Sequence, residues 1–125
     1  MGGTTALTSL TTDAGGSTAI NGGAVTTSIA QTYNDNVTLG ANTVVNAGAG
    51  TGTISFNGTV NGAQTLTVDA GSTTFGGIVG GTTALTSLTT NAAGTTTING
   101  GAVTTTGAQT YNDAVMLGAN TTLTS

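Results

Sequence analysis

Short runs of alternating apolar and polar residues fill this chain. In Thr53-Ile54-Ser55-Phe56-Asn57 and in Thr65-Leu66-Thr67-Val68 every second side chain is apolar, which is the period of a pleated strand with one buried side. The runs are rich in β-branched residues and are separated by turn signals. Asn21-Gly22, Asn57-Gly58, Asn99-Gly100 and Gly76-Gly77 lie between them, and Asn-Gly and Gly-Gly are natural where a backbone needs positive φ. No segment holds an i, i+3, i+4 apolar pattern over a dozen residues, and Thr, Gly and Asn are poor helix formers. The pattern predicts strands and turns with no substantial helix.

The runs repeat. Residues 2–47 return at residues 80–125, an offset of 78, with 34 of 46 aligned positions identical. Gly3–Thr12 equals Gly81–Thr90, Ile20–Thr27 equals Ile98–Thr105, and Ala30–Asp35 equals Ala108–Asp113. A long period in an apolar-striped chain predicts stacked coils. The expectation is an all-β, parallel β-solenoid with coils of about 20–27 residues, forming a single segment over residues 1–125 with repeat copy 2–79 and partial copy 80–125. The chain starts just before one repeat and stops partway through a unit, which reads as a piece of a longer repeat protein or as one subunit of an assembly.

Inside the long repeat a first motif recurs at Leu10, Val37, Leu66, Leu88 and Val115, in steps of 27, 29, 22 and 27. Aligning on it favours three coils per repeat over four. One internal stack is then expected from those five residues. A second comes from Ile20, Phe56, Phe75 and Ile98, and a third from Val25, Val60, Val79 and Val103. Asn21, Asn57 and Asn99, each followed by Gly (Gly22, Gly58, Gly100), are expected at one corner as an amide ladder. Val44–Gly52 reads as an insertion in the longest coil. The buried set is small, one or two large residues per strand, which suits a narrow column better than a sandwich.

Charge narrows the function. The chain has no Lys, Arg or His, four acidic residues and a net charge of −4. Nothing can neutralise phosphates, so nucleic acid is not an expected partner. No basic patch serves anionic lipid, and no apolar run is long enough to span a bilayer. Cysteine is absent, which fits export and fits many cytosolic proteins as well. No cofactor or metal is expected.

Catalysis would have to rest on carboxylates alone, since no His, Cys, Lys or Glu is present. Asp13 and Asp69 occupy the same place in the first motif and are expected on one edge of the solenoid. Asp35 and Asp113 are repeat copies beside Asn. Such a set permits a carboxylate cluster or a calcium site, but Asp in turns usually bonds its own backbone. Asn91 stands where Asp13 stood one repeat earlier, so that charge is replaceable, and the chain is expected not to be an enzyme. Tyr33 and Tyr111 offer a sugar platform, or cover a strand end with the hydroxyl in water. Asn36, Asn57 and Asn120 begin Asn-x-Thr acceptor triplets, which a chain this rich in Asn and Thr produces by chance. Thr51-Gly52-Thr53 and Thr65-Leu66-Thr67 raise a hydroxyl face that orders water and binds ice. Unequal coil lengths are expected to spoil its lattice.

The phrases GGTTALTSLTT, TINGGAVTT, ISFNGTVNGAQTLTVDAG and TTFGGIVGG resemble the repeats of filamentous-haemagglutinin-like and autotransporter-type adhesins of Gram-negative bacteria. The resemblance covers nearly the whole chain. It implies a right-handed parallel β-solenoid, secreted and held at the outer cell surface or released from it. It implies a structural protein, a rod or filament segment that self-associates end to end, with a host or surface ligand undefined. The alternative expectation is a binding module for ice or glycan on a Thr-rich face.

Overall fold

A computed structural model describes all of residues 1–125. The chain is all-β, without a helix, and winds as a parallel β-solenoid of about six turns. Each turn has three faces. The first face stacks Leu7–Thr12, residues 30–33, Thr53–Phe56, Ser72–Phe75, Thr95–Ile98 and Ala114–Leu117. The second stacks Ser17–Ile20, Asn36–Leu39, Val60–Asn61, a bridge at Val79, Ala102–Thr104 and Thr122–Thr124. The third stacks residues 24–27, Thr43–Ala47, Thr65–Asp69, Ser87–Thr90 and Gln109–Tyr111. Every pairing is parallel.

Alternation sets what is buried. In Thr53–Phe56, Ser72–Phe75, Ser87–Thr90 and Thr95–Ile98 the second and fourth residues are buried. The core runs along the axis as one column of nineteen buried apolar residues. On the first face it contains an aromatic pile. The rings of Tyr33 and Phe56 stack at 5.0 Å and 6°, and those of Phe56 and Phe75 at 5.5 Å and 4°.

Register partners range from near pairs in sequence, such as Phe56 with Phe75, to the most distant, Val79 with Val103. Even the most distant pair defines a coil shorter than a three-coil division requires, yet the repeat is not four coils either. Leu7–Thr12 lies on the first face, and its copy at residues 85–90 lies on the third. Ser17–Ile20 lies on the second face, and its copy Thr95–Ile98 on the first. Residues 24–27 lie on the third face, and their copy, which contains Ala102–Thr104, on the second. The long repeat therefore advances eleven faces, three turns and two-thirds of a fourth, so identical sequence lies on different faces.

That face shift corrects the expected stacks. Of the first set, Leu66 and Leu88 are register partners on the third face. Leu10 and Val115 lie at opposite ends of the first face, and Val37 is on the second. Of the second set, Phe56, Phe75 and Ile98 stand in register, but Ile20 pairs with Leu39 on another face and Tyr33 takes its place. Of the third, Val60, Val79 and Val103 form a column, whereas Val25 pairs with Val45. Val44 and Val45 belong to a paired strand. The extra residues of that coil are the turn after Ala47, where Gly48, Ala49 and Gly50 all have positive φ.

The Asn corners differ as well. Asn57 donates to Asn34, not to Asn21, at 2.7 Å. Asn21 and Asn99 lie against Gly40 and Gly118 of the following coil. Positive φ falls one residue later than the Asn-Gly pairs suggest, at Gly23 and Gly101. Gly100 is glycine for another reason, since a Cβ there would overlap the carbonyl oxygen of Gly77 in the coil below.

Candidate functional site

The corner asparagines hold successive coils together. Asn36 Oδ1 accepts from the Thr59 amide at 3.0 Å, and Asn42 Oδ1 from the Thr65 amide at 3.0 Å. Asn61 Oδ1 accepts from the amides of Thr82 and Thr83 at 2.9 and 3.1 Å. Each acceptor reaches one coil ahead and satisfies a corner donor that the strand ladders cannot reach.

The four carboxylates do not converge. Asp13 follows the first-face strand Leu7–Thr12, and Asp69 ends the third-face strand Thr65–Asp69, so they do not share one edge. Asp69 Oδ2 accepts from Asn46 Nδ2 at 2.8 Å. Asp35 and Asp113 turn toward Thr hydroxyls of the preceding coil rather than only to their own turns. Asp35 accepts from Thr12 Oγ1 at 2.6 Å and from Thr18 Oγ1 at 2.9 Å. Asp113 accepts from Thr90 Oγ1 at 2.7 Å and Thr96 Oγ1 at 2.8 Å. The repeat thus carries one carboxylate–dihydroxyl clip per copy.

The tyrosines correct the surface reading. Tyr33 is fully buried, and its hydroxyl donates to Gln31 Oε1 at 2.7 Å. Gln31 Nε2 in turn donates across the interior to the carbonyls of Val25 at 3.0 Å and Asn46 at 2.8 Å. The copy is built alike, with Tyr111 on Gln109 at 3.0 Å and Gln109 on Val103 and Thr124 at 3.1 and 2.8 Å. The Tyr33 ring, closed inside the core, offers no sugar platform, whereas Tyr111 is half-buried. Sequence reading missed this polar rung, although the alternation Ala30-Gln31-Thr32-Tyr33 places the amide and the phenol on one side together.

These groups set a pH profile. The Thr12 hydroxyl on Asp35 is the leading cause holding its carboxyl below 3.8, with Thr18 and its own amide adding and desolvation opposing. A carboxyl lowered on folding stabilises while ionised, and that contribution fades as pH drops below the ordinary value. Burial pushes the Tyr33 phenol up, and that of Tyr111 to about 12. A phenol raised on folding supports the fold below its ordinary value of 10.0, and that support is lost as pH climbs toward about 12. Urea midpoints are expected to stay level between roughly pH 5 and 9 and to fall on both sides. An alkaline limb unchanged in a Tyr33→Phe/Tyr111→Phe chain would show that the phenols do not cause it.

One buried hydroxyl is unpaired. Thr27 Oγ1 meets no partner, whereas its copy Thr105 donates to Gly107 O at 2.7 Å. The cause is local. Ala24–Tyr33 runs as one ten-residue strand through the corner that the copy turns at Gly107, where the first repeat has Ile29. Thr27→Val removes the orphaned group at constant shape and is expected to raise stability by about 1 kcal/mol. A urea melt reads it, and a loss of stability would show that the hydroxyl is satisfied.

Outside, the first face differs from the others. Its outward ranks run Ala30, Thr53, Ser72, Thr95 and Thr32, Ser55, Thr74, Thr97, in unbroken register. Unequal coil lengths do not disturb them, because extra residues are absorbed at corners. The outward positions of the third face include Val44, Asn46 and Asp69. At the N-terminal end a cavity of about 300 Å³ opens among Met1, Leu10, Ile20, Val25 and Tyr33.

Compared with known proteins, the chain matches no family model, no curated sequence and no solved structure.

Proposed function

We propose that this chain is a rod segment of an extracellular bacterial surface adhesin or fibre, non-catalytic, lengthened by coil-on-coil stacking and self-associating end to end. The observation that carries this reading is the eleven-face step of the repeat. A dedicated binding face is kept through an array only if each repeat makes whole turns. Here each copy hands its outward residues to another face while its inward residues, such as Leu10 and Leu88, Ile20 and Ile98, or Gln31 and Gln109, stay the same. Selection on such a repeat acts on length and stacking. The scattered carboxylates and the absence of His, Cys and Lys support a non-catalytic role, and the resemblance of the repeat phrases to surface adhesins supports the extracellular setting.

Length is the test. Each added copy of the long repeat extends the rod by about 18 Å, eleven-thirds of a strand spacing. Electron microscopy of chains carrying two, three and four copies reads that increment. Particles that grow in width rather than length would overturn the rod.

One observation favours a second reading, a binding module. On the first face one hydroxyl rank holds register through four coils, from Thr32 to Thr97, and a second through three, from Thr53 to Thr95, free of charge, as an ordered-water or ice surface needs. Thr74→Tyr would then abolish inhibition of ice recrystallisation while Thr67→Tyr on the third face would not. Inactivity of the unaltered chain ends that reading.

A further inference from the structure

We propose that the two ends of this solenoid are matched halves of one interface, so that the last coil of one copy seats on the first coil of the next in a single rotational setting. The inference rests on the end-to-end reading and specifies its partner, a second copy of this chain, and its geometry.

The upper end carries core residues without a cover. Val115, Leu117 and Leu123 occupy inward positions of the last coil, yet are 39%, 59% and 51% exposed. They stand in register on Thr96, Ile98 and Val103, all buried. The lower end is the complement. Leu10 from the first face, Ile20 from the second and Val25 from the third surround the mouth of the cavity, and the Tyr33 ring lies above it. One end offers apolar side chains and the other an apolar hollow of about 300 Å³.

The columns also align. Leu10 and Val115 belong to the same first-face column, through Gln31, Ile54, Thr73 and Thr96. A second copy continuing that face sets its Leu10 on Val115 and its Thr12 on Leu117. On the second face its Thr18 falls on Leu123, with Ile20 beside it.

The first and second faces each stack six levels. Copies that continue those columns superpose face on face, with an axial repeat of six strand spacings, about 29 Å. Charge does not oppose the contact, since the inward positions of both end coils are uncharged.

The experiment compares the full chain with Leu117→Glu/Leu123→Glu, and with Val44→Glu on the outer third face, where Val44 is 46% exposed. All three sites are exposed, and circular dichroism verifies the β fold. Sedimentation across concentration is expected to show growing assemblies for the unaltered chain and for Val44→Glu. The end variant is expected to stay at 11.8 kDa. Diffraction from aligned fibres is expected to add this longer axial repeat, about 29 Å, to the strand spacing. Assembly of the end variant equal to that of the unaltered chain overturns this junction, and so do fibres lacking the longer repeat. An unaltered chain that remains monomeric at its solubility limit overturns the end-to-end reading itself.

Discussion

Phe56→Ala is expected to lower stability by about 3–5 kcal/mol, the range for truncating a buried aromatic. The ring is 1% exposed and lies between Tyr33 at 5.0 Å and Phe75 at 5.5 Å, nearly parallel to both. A globular core closes partly around a deletion, but this one has few ways to do so. Its coils are held at a fixed spacing by backbone ladders on three faces, so neighbouring rings cannot slide along the axis to fill the space. The loss also falls on a particular kind of interface. In a stacked array stability is a sum of unit terms and nearest-neighbour terms, and Phe56 serves the contacts both below and above its coil. Urea unfolding followed by circular dichroism should show a lower midpoint and a broader transition as the two ends uncouple. Phe56→Leu, which keeps much of the volume, should lose less than half as much. Ile29→Ala, at a 58% exposed corner, should change stability by no more than about 0.5 kcal/mol. A loss under about 1 kcal/mol for Phe56→Ala would mean that the ring pile is not what couples the coils.

The pile was only partly legible in the sequence. Alternation alone placed Ile54, Phe56, Leu66 and Val68 on the inward side, and the structure buries all four. Recurrence of Phe56, Phe75 and Ile98 also matched a real column. Equal letters, however, do not mean equal azimuth. Ile20 and Ile98 are the same residue of the same motif, yet they pair with Leu39 and Phe75 on different faces. Azimuth depends on how many corners precede a strand, and corners are not marked by one residue type. The corner after Ala47 needs a run with three positive φ values, whereas the one at Ser28-Ile29 is crossed by continuous strand. A sum of such corners fixes the two-thirds turn, and no local motif reports a sum. The interior polar groups were hidden for another reason. Polarity argues that Gln and Asp face water, and only partners in neighbouring coils, such as Thr12 for Asp35, show why they need not.

Gln31→Leu tests the largest of those hidden groups, and it is expected to cost about 3 kcal/mol or more. Leucine fits the volume and is the better apolar residue, so a purely hydrophobic account predicts a gain. The hydrogen bonds predict the reverse. Gln31 is fully buried and satisfies the Val25 and Asn46 carbonyls and the Tyr33 hydroxyl together. Leu leaves those three groups without their partner, and each orphaned buried group costs about 1–3 kcal/mol. A double-mutant cycle separates the parts. Tyr33→Phe added to Gln31→Leu removes one orphan and should restore about 1 kcal/mol, whereas Tyr33→Phe alone should be destabilising because Gln31 Oε1 then lacks its donor. The chain supplies its own control. Gln109 makes the same three bonds in the last coils, but it and Tyr111 are only partly buried. Water can replace lost partners there, so Gln109→Leu should cost less than half as much. Equal losses at the two sites would show that the cost follows the motif and not its burial. No loss at Gln31 would mean that the interior carbonyls are satisfied without it, and the polar rung would have no part in fixing how the first face meets the third.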